Sequence, residues 1–403
     1  MGRPHRPELA QILSRRRPYE YYRELFRGRE LPFAFVDLDR LAENRAAIAG
    51  RAGGKWVRLA SKSIRSVAVL ERILSSGPPF RGVMCFSARE AVFLSERGLD
   101  DLLVGYPVVQ EAQIASVCQE IRRGRTITLV VDAPEHVTRI VAAARRHDVV
   151  VPLCLDVDLS LDLPGLRFGV FRSPIATVAA AVRLRDEIRA ESSVRLDGIL
   201  GYEAQVAGVP DKMGIRSGVV RLLKRGSRTL AARRRAAIVE AVGPVRFVNG
   251  GGTGSLESTR EEDVVTEVAV GSGFYSPGLF DGYDRFRHQP SAAFATEIVR
   301  RPAPGIFTCH GGGYVASGGA SKDKLPRPFL PEGARLLATE GAGEVQTPVL
   351  YRGPVPLAIG DPVFFRHAKA GELCEHFNTL LLVSKGRVVE EVTTYRGDGQ
   401  SFL

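Results

Sequence analysis

Long apolar runs are missing from this sequence. None approaches the roughly 20 consecutive apolar residues that a membrane-spanning helix needs, so no membrane partner is expected. Cysteine is sparse: five residues (Cys85, Cys118, Cys154, Cys309, Cys374) in 403, odd in number and mostly inside apolar stretches. That excludes a disulfide framework and fits a reduced, cytoplasmic protein. Lysine is scarce too, since 48 of the 56 basic residues are arginine. They are scattered rather than striped, with no aromatic-interleaved basic stretch, so the net charge of +11 does not indicate nucleic acid. A basic surface of this kind instead favours anionic substrates or phosphate. The triplet Arg15-Arg16-Arg17 is followed by tyrosines and charges rather than an apolar core, which argues against a signal peptide. Low-complexity linkers and internal repeats are also missing.

What is present is a 44% hydrophobic chain, long enough to bury a sizeable core. After a basic, tyrosine-containing lead-in over residues 1–30, short apolar runs at 33–36, 56–61, 82–87, 102–106, 127–132, 149–158, 196–202, 245–249 and 264–270 alternate with amphipathic helical segments. Strands separated by helices predict parallel pairing through right-handed crossovers. The count predicts an α/β fold, a (β/α)8 TIM barrel over residues 31–285, with one strand to spare. From about residue 286 helical periodicity fades and Pro and Gly punctuate short runs, predicting a C-terminal β-rich domain over 286–403. The lead-in is expected to pack on that second domain.

Two features suggest chemistry. Lys62 ends the run Trp56-Val57-Arg58-Leu59-Ala60-Ser61, where a barrel strand delivers a side chain to the mouth. Partial desolvation and neighbouring cations such as Arg58 and Arg65 would favour a neutral amine able to form a Schiff base with an aldehyde. A strand-end lysine also commonly just reaches into solvent. The second feature is a pair of glycine turns on consecutive late strands: Asn249-Gly250-Gly251-Gly252-Thr253-Gly254, then Gly271-Ser272-Gly273-Phe274-Tyr275. Either turn can bring backbone N–H groups onto a phosphate without a lysine. Lysine for an aldehyde and glycine loops for a phosphate describe a pyridoxal 5'-phosphate site. A conventional barrel enzyme whose lysine grips a sugar phosphate is the alternative.

These stretches resemble the fold-type III pyridoxal phosphate enzymes, nearest the D-threonine aldolase and D-serine dehydratase-like group and more distantly alanine racemase. Phe35-Val36-Asp37-Leu38-Asp39 with Asn44 is similar to the family's opening strand and helix. Arg58-Leu59-Ala60-Ser61-Lys62-Ser63-Ile64-Arg65 is similar to its lysine segment. Ser87-Ala88-Arg89-Glu90-Ala91, Leu103-Val104-Gly105-Tyr106-Pro107, Asp156-Val157-Asp158 with Arg167-Phe168-Gly169-Val170, and Gly201-Tyr202-Glu203 follow in the family's order. The resemblance implies that Lys62 carries the cofactor and Arg167 lies beside its ring. Tyr202 and Glu203 would line its face, while Asn249, Gly251, Gly252, Thr253, Gly271, Ser272 and Tyr275 would hold its phosphate. It departs at Ala60, where the aldolases and dehydratases carry a histidine, and at Ala269, where alanine racemase carries an arginine toward the pyridine nitrogen.

The same group holds a divalent metal through a C-terminal histidine-x-cysteine segment. Here Glu372 and Cys374 fall at those places, with His367 and His376 flanking them, so the resemblance implies a possible divalent metal on Glu372, Cys374 and His376. These would share one face if the segment were a strand. Cys309-His310-Gly311-Gly312-Gly313-Tyr314 offers His310 as a replacement acid or base. Arg58 or His310 would take the substrate carboxylate or its proton. The expected activity is aldolase-type cleavage or formation of the Cα–Cβ bond of a β-hydroxy-α-amino acid, with amino acid and aldehyde as substrates, in a homodimer. A β-eliminating dehydratase, a racemase and a noncatalytic pyridoxal phosphate-binding protein remain alternatives.

Overall fold

The computed structural model describes residues 18–163, 166–207, 217–369 and 371–402; the first half of the lead-in and its arginine triplet lie outside them. Nineteen strands occur among the described residues. They are β1 (Phe33–Asp37), β2 (Trp56–Ala60), β3 (Phe80–Cys85), β4 (Leu102–Val104), β5 (Ile127–Val131), β6 (Val151–Asp156), β7 (Leu161–Leu163), β8 (Leu166–Phe168), β9 (Val194–Gly201), β10 (Phe247–Gly250), β11 (Glu267–Val270), β12 (Ala292–Ala303), β13 (Ile306–His310), β14 (Arg327–Leu330), β15 (Arg335–Leu336), β16 (Gln346–Leu350), β17 (Pro362–Arg366), β18 (Thr379–Ser384) and β19 (Arg387–Thr393). The chain divides into two compact units. One comprises residues up to Asn44 together with 274–281 and 288–401, and the other comprises 45–273, 282–287 and 402–403.

The second of these is the expected parallel barrel. Its eight strands close in the order β10-β11-β2-β3-β4-β5-β6-β9. Strands such as β5 (ITLVV) are buried along their whole length, as a barrel strand covered by helices on one side and packed core on the other must be. Leu103, Val130, Cys154, Leu200 and Phe247 form one core cluster. Gly198 makes room for it, because a Cβ there would lie 2.3 Å from the Phe247 ring. The intervening helices begin where local chemistry permits. Ser87 caps Ala88–Glu96 by accepting from the Glu90 amide at 3.2 Å, and the Glu90 carboxylate accepts from the Phe86 amide at 2.7 Å. Pro134 opens Pro134–His147, which ends in Arg145, Arg146 and His147 against its negative pole and stops at Asp148 with φ 51°.

The spare strand is the first one. β1 does not enter the barrel; it pairs antiparallel with β12 and parallel with β18. The unit that carries it is the nine-stranded sheet built from β1, β12 to β19, so the N-terminal boundary falls at Asn44 rather than residue 31. Helix Tyr19–Leu25 belongs to the same unit, where Tyr22 packs on Phe35 and Phe364 and its hydroxyl donates to Asp37 Oδ2 at 2.8 Å. Asp37 in turn accepts from the Asp39 and Arg40 amides, each at 3.1 Å, and so caps the helix Leu38–Ala52.

Candidate active site

Lys62 stands in a tight turn (Ser61–Ser63) at the C-terminal end of β2. The turn is rigid for local reasons. The Ile64 and Arg65 amides both donate to the Ser61 carbonyl, the Ser61 hydroxyl donates to the Met84 carbonyl at 2.9 Å, and Arg65 Nε donates back to the Lys62 carbonyl at 2.9 Å. The Lys62 ammonium donates to the Tyr106 hydroxyl at 3.3 Å. Tyr106 follows β4 directly. Burial acts to raise the pKa of this phenol, but Lys62 and then Arg172 outweigh it, and it lies below its ordinary value. Arg172 reaches over both Tyr106 and Tyr202, its guanidinium 5.9 and 5.6 Å from the two ring centroids. Among the described residues, Arg172 has no ion-pair or hydrogen-bond partner.

Two carboxylates end adjacent strands of the same mouth. Burial, then the Asp132 carboxylate, pushes Asp156 up to about 7 against the pull of Arg172. Asp132 is itself raised by burial, although His136 Nδ1 stands 3.2 Å from it.

The glycine turns lie beside the lysine turn, as the strand order β10-β11-β2 requires. Ser63 and Ser272 share a hydrogen bond at 3.2 Å, and the Gly273 amide donates to Thr253 Oγ1 at 3.0 Å. Close approach explains two of the glycines: a Cβ on Gly271 would lie 2.5 Å from the Ala60 carbonyl oxygen, and one on Gly254 2.4 Å from that of Ala207. The amides of Thr253, Gly254 and Ser272 have no partner within the described chain, and Ser272 opens the short helix Ser272–Tyr275. Free N–H groups on two neighbouring turns, a hydroxyl and a glycine cradle next to a lysine fit the phosphate and aldehyde ends of pyridoxal phosphate.

The profile of the alanine racemase N-terminal domain matches residues 36–275. The chain belongs to that family. It is a family of fold-type III pyridoxal phosphate enzymes. The chain is 25% identical over 248 residues to 3-hydroxy-D-aspartate aldolase of Paracoccus denitrificans (strain Pd 1222), covering 60% of this chain and 59% of that enzyme. It is 26% identical over 251 residues to D-threo-3-hydroxyaspartate dehydratase of Delftia sp. (strain HT23), covering 60% of each. Both matches therefore span less than two thirds of the relative. The fold of D-threonine aldolase from Filomicrobium marinum superposes with a TM-score of 0.79 at 18% identity, over 93% of this chain and 96% of that one.

Within this alanine racemase-like barrel, several expected residues do other work. Arg58 is fully buried and points to the floor: Nε donates to Glu267 Oε1 at 2.7 Å and Nη2 to Asp101 at 3.1 Å, partners at the N-terminal ends of β11 and β4. It is therefore unable to receive a substrate carboxylate. Asn249 joins the same network, its amide donating to Glu267 Oε1 at 2.8 Å, so it does not reach for phosphate. Glu203 does not face a cofactor ring either. Its oxygens accept from the Gly251 amide (3.3 Å), the Ser255 hydroxyl (3.0 Å), Arg235 (2.8 Å) and the Thr259 hydroxyl, which makes it the brace of the glycine turn. Arg167 is held by its own loop through Asp158 at 2.8 Å, Asp162 at 3.1 Å and the Val170 carbonyl at 3.0 Å. Tyr202 stays at the mouth, its ring against Gly252.

The remaining expectations fall in the β unit. Tyr275 is buried there with its ring edge-on to His367. His310 is exposed at the end of β13 and lines a cavity of about 540 Å³ with Thr296, Tyr314, Glu344 and His376. The expected metal triad is not assembled. Residues Leu373–His376 form a helical turn instead of a strand, so alternate residues do not share a face. Cys374 is buried, His376 stacks on Tyr314 at 4.2 Å, Glu372 Oε1 accepts from the Ser317 amide at 3.0 Å, and no three metal-type ligands converge among the described residues.

Proposed function

We propose that this chain is a pyridoxal phosphate-dependent lyase that cleaves or forms the Cα–Cβ bond of a β-hydroxy-α-amino acid of D configuration. The observation that supports it most is the juxtaposition of the Lys62 turn with two glycine turns in which, among the described residues, the amides of Thr253, Gly254 and Ser272 have no partner. Lys62 anchors the cofactor aldehyde, and the amides of Thr253, Gly254 and Ser272 with the Thr253 hydroxyl hold its phosphate. When bound, pyridoxal phosphate supplies an electron sink for the charge left at Cα as the bond to Cβ breaks.

Around it the chain's own groups divide the work. Arg172, a guanidinium without a carboxylate partner at the mouth, takes the substrate carboxylate in place of Arg58. Arg167 braces the segment that carries Arg172 by holding Val170 and Asp158. Asp156, near neutrality, is suited to accept the β-hydroxyl proton and return it, the task left open by Ala60. Ala269 offers no cation at the position from which a racemase would tune the ring, which favours bond cleavage over racemisation. Five free, buried cysteines support a cytoplasmic location, and a homodimer remains part of this reading.

Incubating the apo chain with pyridoxal phosphate should give a visible absorbance band that borohydride fixes to Lys62, identified by peptide mass spectrometry and absent from Lys62→Ala. A panel of D- and L-hydroxy amino acids, assayed for aldehyde, ammonia and enantiomer exchange, should then release aldehyde. Ammonia without aldehyde would move the assignment to the dehydratase, a function carried by the Delftia relative. Cofactor binding without turnover of any amino acid would leave only a binding protein.

A further inference from the structure

We propose that Tyr106 is a catalytic residue of this site, whose phenolate oxygen takes a proton from the Lys62 ammonium and so frees the lysine to attack the cofactor aldehyde. The proposal rests on Lys62 being the anchor. In the step, one N–H bond of the ammonium breaks and one O–H bond forms on Tyr106. The electron pair of the N–H bond stays on Nζ as the attacking lone pair, and the negative charge on oxygen and the positive charge on nitrogen are both discharged. No further reactant is required.

The geometry carries it. Tyr106 OH is the hydrogen-bond partner of Lys62 Nζ, at 3.3 Å. It is held there by the end of β4: the Gly105 amide donates to the Cys85 carbonyl at 2.9 Å, and Gly105 lies so close to Met84 that a Cβ would approach its Cγ at 3.3 Å. Ala60, the last residue of β2 and two positions before Lys62, supplies nothing that could do the same task. Four groups face the phenol from separate elements: Lys62 after β2, Arg172 before helix Val178–Arg189, Asp156 at the end of β6, and Tyr202 after β9. The two tyrosines of this mouth make an internal comparison. Tyr202 is buried beside the Glu203 carboxylate and is pushed up to about 12, so it stays a phenol. Tyr106 has two cations against it and moves the other way. Of these two tyrosines, Tyr106 is the one hydrogen-bonded to the lysine ammonium.

The test uses the apo chain and follows covalent capture of pyridoxal phosphate, trapped with borohydride and counted by mass, against pH. Tyr106→Phe should slow capture at pH 7 by about 100-fold, the lower end of what a positioned base contributes, and should remove the inflection set by the phenol. Ultraviolet difference titration of the wild type should show one tyrosine ionising before the others. That signal should vanish in Tyr106→Phe, shift to higher pH in Arg172→Gln, and return in Arg172→Lys. Capture by Tyr106→Phe at the wild-type rate and with the wild-type pH dependence overturns the proposal, as does an early-ionising tyrosine that persists in that variant. Label that survives Lys62→Ala overturns the anchor itself, a separate failure recognisable because Tyr106→Phe is not needed to see it.

Discussion

Replacing Arg58 by methionine separates a floor arginine from a substrate-binding one. The side chain is fully buried, and so is its partner Glu267, which accepts from Arg58 Nε at 2.7 Å and Nη2 at 3.1 Å. Removing the guanidinium leaves Glu267 with the Asn249 amide at 2.8 Å and a distant Arg81 at 3.5 Å. A buried carboxylate stripped of its counter-charge costs about 3–5 kcal/mol, which lowers the folding constant by roughly two to four powers of ten. Asp101 suffers less, because Arg246 still donates to it at 3.0 Å. The double variant Arg58→Met, Glu267→Gln removes the stranded charge and should recover most of the loss, giving a coupling energy of several kcal/mol in a double-mutant cycle. Denaturant unfolding followed by far-ultraviolet circular dichroism reads the stability, and KM of the folded enzyme reads the site. Arg58→Met with wild-type stability and a KM raised tenfold would refute the floor assignment and return Arg58 to the substrate.

Asp156→Asn tests the mouth carboxylate. Because burial and Asp132 raise its folded pKa from 3.8 to about 7, the native barrel holds this proton more tightly than the unfolded chain. Stability of the apo chain should therefore fall as pH climbs from 3.8 to about 7, by at most about 4 kcal/mol at ~1.4 kcal/mol per unit. Asp156→Asn should flatten that slope in unfolding measured at pH 5 and pH 8, and an unchanged slope would place the proton elsewhere. Gly271→Ala inserts a Cβ 2.5 Å from the Ala60 carbonyl oxygen, forcing the phosphate turn away from the lysine turn. Misplacement on the order of 1 Å should slow borohydride-trapped capture of the cofactor by Lys62 about 100-fold while circular dichroism stays native; an unchanged capture rate would dissociate this turn from the cofactor.

The barrel was legible because its signal is periodic and repeated: eight apolar strands each followed by a helix admit few other arrangements. β1 shows where such reasoning stops. FAFVD is almost wholly buried and reads like another barrel strand, yet its partners Ala292–Ala303 and Thr379–Ser384 pair with it from about 260 and 346 residues later, a pairing that no local pattern encodes. Arg58 illustrates a second limit. Alternation along β2 tells which face a residue occupies but not its depth, and two strand residues at about 3.3 Å each set it roughly 7 Å below the turn that carries Lys62. Register supplies the depth: Ala269 stands opposite Arg58 and Glu267 opposite Trp56, which ties Arg58 to the floor. Arg172 was hidden among 48 arginines. Tyr106 was visible only as part of a Gly-Tyr-Pro loop, since its meeting with Lys62 spans two strand gaps, β2 to β3 to β4. A rule follows that applies to any closed parallel barrel read from sequence. Once the strand order is known, polar residues just past the C-terminal end of each strand should be compared with one another. Those inside a strand should be sought in the floor network first, and by that rule Tyr106 joins Lys62 while Arg58 and Asn249 leave it, with Asp156, the last residue of β6, at the border between the two sets.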